Sequence, residues 1–204
     1  MANSSKSKGD RAELEAVELL KELGGDLISV AKPMRALGAG RKEDTGDIHV
    51  FADTAIQVRN YKLASLGQAV RSSAKDAVSQ AGNGFSSYAL GMVPYPRATK
   101  ASVRWLACVS PDWWPGGEPV PAAEFGTISK LADWVRSDEG PKGFLAYPRH
   151  LRIGLLTGEA GQVIVAPIEA WLNAYRAELA AERIGGQSAH MGQAGNPALA
   201  PSSR

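Results

Sequence analysis

The sequence predicts an α/β fold, a central mixed β-sheet flanked by helices. Segments of helical and of strand periodicity alternate along the chain, Gly- and Pro-rich stretches separate them, and no internal repeat is present.

Residues 1–8 are small and polar and read as a disordered lead. From Asp10 to about Leu23 the apolar residues Val17, Leu20 and Leu23 recur at helical spacing, with Glu15, Glu18 and Glu22 opposite, and Gly24-Gly25 ends the helix. A short strand is expected over Leu27–Val30. Residues 35–46, RALGAGRKEDTG, read as a charged, Gly-rich loop. Two runs of alternating polarity, Asp47–Phe51 and Ala55–Asn60, predict adjacent strands joined at Ala52-Asp53-Thr54. A second helix over Leu63–Ala81 carries a small-sided face of Leu66, Val70, Ala74, Ala77 and Ala81, which allows close approach to a sheet or helix. Phe85–Val93 and Ser102–Ser110 read as strands around a basic loop, PYPRATKAS. The stretch PDWWPGGEPVPAA reads as a linker to a helix over Glu124–Arg136. Two strands, Arg152–Leu156 and Gln162–Ala166, precede a last helix opened by Pro167 and carrying Trp171, Tyr175 and Leu179. Beyond Arg183 the Gly/Ser/Ala/Pro-rich tail is expected to be disordered. The resulting division is a lead (1–8), a core (9–110), an extension packed on it (111–182) and a tail (183–204).

Composition narrows the class. The 204 residues are 44% hydrophobic and 22% charged, as in ordinary globular proteins. Cys108 is the single cysteine, so neither an internal disulfide nor a CxxC metal pair can form, and a reducing cytoplasm is the expected setting. The opening residues lack the apolar stretch of a signal peptide, and no run has the length of a membrane span. The net charge of +2 conceals an asymmetry. Residues 54–110 hold seven basic side chains against Asp76 alone, whereas residues 111–204 hold eight basic and ten acidic ones. A basic central segment suits phosphate contacts, although the same charges also fit several solvated faces. No GxxxxGK[ST], GxGxxG, HExxH or GxSxG is present, which argues against nucleotide-driven, dinucleotide, zinc-protease and serine-hydrolase chemistry.

The chemistry-bearing candidates lie early in the chain. Side chains alternate along a strand, so Gln57 and Arg59 share one face while Ile56 and Val58 take the other. Asp47 opens the neighbouring strand. Glu13 precedes Val17 and Leu20 by four and seven residues, in line with the buried stripe. There a carboxylate needs a partner or a metal, unless it simply suits the dipole at a helix start. Two carboxylates, the Gln57 amide oxygen and the Val58 carbonyl make a hard-oxygen set for Mg²⁺ or Mn²⁺, and the Arg59 guanidinium beside them suits phosphate.

KGDRAELEAVELL, followed by a GDI strand and the strand AIQVRN, resembles the PD-(D/E)XK nuclease superfamily, in particular the small Holliday-junction resolvases of archaeal and bacterial-virus type. The resemblance covers roughly residues 8–110. It implies a restriction-endonuclease-like core, to which the elements of 111–182 add a C-terminal α+β extension, and a homodimer that cuts DNA with Mg²⁺ or Mn²⁺. Glu13 and Asp47 match the family's acidic positions. Gln57 stands where the family usually has a carboxylate, and Arg59 where it usually has lysine. The amide keeps an oxygen ligand but removes a charge. Arginine keeps the charge but cannot take a proton from water.

On this reading Glu13, Asp47, Gln57 and Val58 hold metal and Arg59 stabilises the phosphate. Lys8, Arg11, Arg41, Lys42, Lys62, Arg71, Gln80, Arg97 and Lys100 are candidate DNA contacts. Branched DNA is the expected partner, with no membrane and no nucleotide cofactor. The alternatives are a non-catalytic DNA-binding or scaffolding relative and a nuclease for ordinary duplex or single strands. Trp113 and Trp114 suit either base stacking or cover of a core edge.

Overall fold

The structure, a computed structural model, describes residues 4–36, 45–61, 65–94, 105–136, 152–159 and 161–191. Helix α1 (Ser4–Gly24) is followed by β1 (Met34–Arg35), β2 (Ile48–His49) and β3 (Thr54–Val58). Helix α2 (Leu66–Gly84) leads to β4 (Tyr88–Pro94) and β5 (Trp105–Val109). Then come β6 (Ala123–Phe125), α3 (Ile128–Arg136), β7 (Gly154–Leu156), β8 (Val163–Pro167) and α4 (Ile168–Met191). The eight strands of the described residues form one mixed sheet in the order β1-β2-β3-β4-β5-β8-β7-β6. The β3–β4 and β6–β7 pairs are parallel and the other neighbours antiparallel. The strands of segment 111–182 therefore continue the sheet begun by the first half, through the β5–β8 pairing. Two short strands, β1 and β6, lie at its margins.

Alternation along the strands divides the core in two. Ile56 and Val58, with Leu90, Met92, Ala107 and Ile164, pack beneath Ala12, Ala16, Val17, Leu19 and Leu20 of α1 and beneath α4. On the other face Ala55 and Ala89 meet Ala77 and Ala81 of α2, while Val93, Leu106, Cys108 and Val165 meet its Leu66, Ala69, Val70 and Ala74. The small-sided face read from the sequence is thus the one that lies on the sheet. Gly91 lets it come close. A Cβ there would stand 2.7 Å from Cys108 O, from the Ser73 carbonyl carbon and from Ser73 Oγ. Burial in this layer pushes the Cys108 thiol up to about 12, so it is a packing group and no nucleophile.

Helix α4 braces the β2–β3 hairpin. Trp171 stacks on Tyr175 with centroids 5.0 Å apart, and Phe51 of the hairpin lies 5.9 Å from Trp171 and 5.2 Å from Tyr175. The Tyr175 hydroxyl donates to Asp53 Oδ1 at 2.5 Å, and burial, then this bond, raises the phenol above its usual range. Trp171 is fully buried, so Trp171→Ala is expected to cost about 3–5 kcal/mol. Urea titration measures this. A loss below ~1 kcal/mol would show that the helix does not support the hairpin.

The structure departs from the sequence expectation in several elements. Residues 27–30 are no strand: a 3-10 turn over Gly25–Leu27 follows α1. Strand β1 instead falls at the start of the stretch read as loop, where Met34 and Arg35 pair with His49 and Ile48. Its two residues form a strand through backbone pairing alone, which no local pattern announces. Strand β6 takes the first residues of the expected 124–136 helix, pairing with β7. Helix α1 starts at Ser4, within the lead expected to be disordered, because a helix anchored by packed residues extends at one bond per added residue. By the same propagation α4 extends to Met191, past the expected start of the tail. Trp114 is buried in the core and Trp113 packs against it, which assigns the pair to core cover.

Candidate functional site

Asp47 is placed by backbone contacts on two sides. Its N–H donates to Ile56 O at 2.8 Å, and its carbonyl accepts from Ala36 N–H at 2.7 Å. The residue before it must be glycine. Gly46 has φ +131°, and a Cβ there would lie 3.1 Å from Ile56 N and 3.2 Å from Ile56 O. The Gly-Asp pair thus presses the chain against β3 and delivers the carboxylate to the end of that strand.

There Asp47 Oδ2 accepts from Val58 N–H at 2.8 Å and from Gln57 Nε2. Gln57 Nε2 also lies 3.4 Å from Val58 O. Behind it, Gln80 Nε2 donates to Gln57 Oε1, so Asp47, Gln57 and Gln80 form one chain from strand to helix. Gln57 is 2% exposed and Gln80 6%. The Oε1 atom of Gln80 is buried and has no hydrogen-bond partner. Gly91 stands beside Gln57 in the parallel register, so the close approach it permits is what brings Gln80 within reach.

Arg59 shares the α2 face with Gln57, as strand alternation predicts, but its guanidinium is paired with Asp76. It remains 44% exposed and lines an open cleft of about 330 Å³ with Asn60, Tyr61, Ser65, Gln68 and Ser72. Glu13 pairs with another residue. It belongs to α1, which covers the opposite face, and it accepts from Arg35, which also pairs with Asp10. The bond to Glu13, opposed by desolvation and aided by both carboxylate charges, raises Arg35 above its usual value. Glu13 satisfies its partly buried charge with an arginine supplied by β1. Among the described residues no group of three or more His, Cys, Asp or Glu could hold a metal ion.

Of the predicted DNA contacts, Arg11, Arg71 and Gln80 fall wholly among the described residues. Arg11 is exposed and paired with Glu15 at 2.8 Å. Arg71 donates to Gly161 O at 3.1 Å and Thr157 O at 3.3 Å, and so ties α2 to the β7–β8 connection. Gln80 is buried in the chain with Gln57 and not on the surface. Arg41, Lys42, Lys62, Arg97, Lys100 and the side chain of Lys8 lie outside the described residues. Three partners escaped the sequence reading: Arg35, Asp76 and Asp10. A signal for Asp76 existed, since it is the single acid of the basic segment 54–110.

No family model, no curated protein and no solved structure matches the chain. Among the described residues no helix is long and apolar enough to cross a membrane.

Proposed function

We propose that the protein is a Mg²⁺- or Mn²⁺-dependent DNA endonuclease with a restriction-endonuclease-like core, acting on branched DNA as a homodimer. One observation carries the reading. The Asp47 carboxylate, the Gln57 amide and the Val58 carbonyl, three of the four groups that the sequence offers as metal ligands, Glu13 being the fourth, lie together at the end of β3.

The donor set fits a hard divalent ion provided the Gln57 amide turns its oxygen toward Asp47. The ion would acidify a bound water and screen charge building on the phosphate. Asp47 supplies the one negative charge of the set and Gln57 and Val58 neutral oxygens, so affinity is expected to be modest. Arg59, positioned by Asp76 at the cleft, offers its remaining N–H donors to a phosphate oxygen. It binds and orients and does not act as the base.

A second reading is a DNA-binding relative that no longer cuts. Two ion pairs favour it, because Glu13 with Arg35 and Arg59 with Asp76 are charges already neutralised within the chain. The readings separate on a panel of labelled four-way junction, flap, duplex and single strand with Mg²⁺ or Mn²⁺. The nuclease reading expects metal-dependent cleavage, fastest on the junction. Binding without any cleavage selects the second reading, and equal rates on duplex and junction remove the branched-DNA preference.

A further inference from the structure

Gln57 has one amide and two neighbours that each want one end of it. Asp47 can only accept, so in the described arrangement it takes the Gln57 NH₂ group. The Gln57 oxygen then points to Gln80 and accepts from its NH₂ group, which leaves the Gln80 oxygen buried and unpaired. A divalent ion at Asp47 requires the opposite orientation of Gln57.

Both orientations fit the same space, because a glutamine amide is two-fold in shape about its last torsion. If Gln57 alone turned, its NH₂ would face the Gln80 NH₂. Gln80 must therefore turn with it, and its oxygen then accepts from Gln57. In either arrangement one end of Gln80 stays unpaired, so the glutamines themselves hold no strong preference. What lies between Asp47 and Gln57 decides. Without a cation, two facing oxygens repel and the described arrangement holds. With one, the turned arrangement presents the oxygens of Asp47 and Gln57 together.

We infer that Gln80 is the positioning residue that sets which end of the Gln57 amide faces Asp47, and that cation binding turns the two amides as a pair. This rests on the metal-holding reading of Asp47, Gln57 and Val58. It adds a residue that touches neither cation nor substrate and yet governs affinity for the cation.

An ionised glutamate at position 80 can only accept, so it competes with Asp47 for the Gln57 NH₂ and removes the donor that holds the Gln57 oxygen away from Asp47. Gln80→Glu in the full chain is expected to bind Mn²⁺ roughly tenfold more tightly, as when a competent arrangement present at about one-tenth becomes dominant. Free Mn²⁺ is counted by electron paramagnetic resonance. Added charge alone would tighten binding too, and Gln57→Glu separates the causes. A carboxylate at 57 has no amide to orient, so Gln80→Glu brings no gain in that background if it acts through orientation.

A second measurement needs no variant. In the wild type, the nuclear Overhauser contact from the Gln57 amide protons to the Val58 N–H is expected to weaken on addition of Mg²⁺, and the one to the Gln80 side chain to strengthen. Equal tightening by Gln80→Glu in both backgrounds, no tightening, or unchanged contacts on Mg²⁺ binding overturns the role of Gln80 and leaves the metal reading standing. Failure of the wild type and Gln80→Glu alike to bind Mn²⁺ or Mg²⁺ overturns the metal reading and this inference with it.

Discussion

Gly91→Val is expected to melt far below the wild type and to lose the Asp47–Gln57–Gln80 chain. The first atom of any side chain at 91 would stand 2.7 Å from two backbone atoms and the Ser73 hydroxyl. Backbone cannot turn aside as a flexible side-chain tip can, so α2 must lift from the sheet. Overpacking of this kind costs about 3 kcal/mol, the upper part of the usual range. For a chain of this size that lowers Tm by roughly 6–12 °C. The lift also draws Gln80 away from Gln57 and Asp76 away from Arg59, since both partners ride on α2. Calorimetry of Gly91→Ala and Gly91→Val together tests the point. Variants that melt within ~2 °C of the wild type would mean that helix and sheet are not in close contact.

Asp47→Ala is expected to abolish Mn²⁺ binding and any cleavage, and to lower stability by about 1.5–3 kcal/mol. The stability loss has a separate cause from the metal. Val58 N–H and Gln57 Nε2 both donate to this carboxylate, and losing a charged acceptor strands them. Asp47→Asn divides the two effects, because asparagine keeps one acceptor oxygen but no charge. It should retain most of the stability while binding Mn²⁺ at least tenfold less well. Should Asp47→Ala cut DNA at the wild-type rate, the chemistry lies elsewhere.

Much of this arrangement was readable in the sequence, for reasons specific to each part. The meeting of Asp47 and Gln57 follows from a Gly-Asp before one short strand and a polar residue on the next, since a hairpin places neighbours in sequence side by side. The face of Leu66, Val70, Ala74, Ala77 and Ala81 announced a helix seated close to something flat, and the sheet is what it meets. What could not be read were partners distant along the chain. Arg35 reaches Glu13 across 22 residues and Asp76 reaches Arg59 across 17, and each pairing depends on how whole elements pack. Glu13 shows the limit clearly. Its place on the buried stripe of α1 was legible, but the identity of the cation it would meet was not. Strand β1 failed for a related reason, as two residues carry no period and owe their state to β2.

The two margins of the sheet bear on self-association. One is formed by the two residues of β1 and the other by the three of β6. Templates so brief offer an incoming chain only a few backbone hydrogen bonds, too few to hold two molecules together. If the proposed homodimer forms, these described margins offer it little ladder to extend, and its grip would fall to side-chain surfaces.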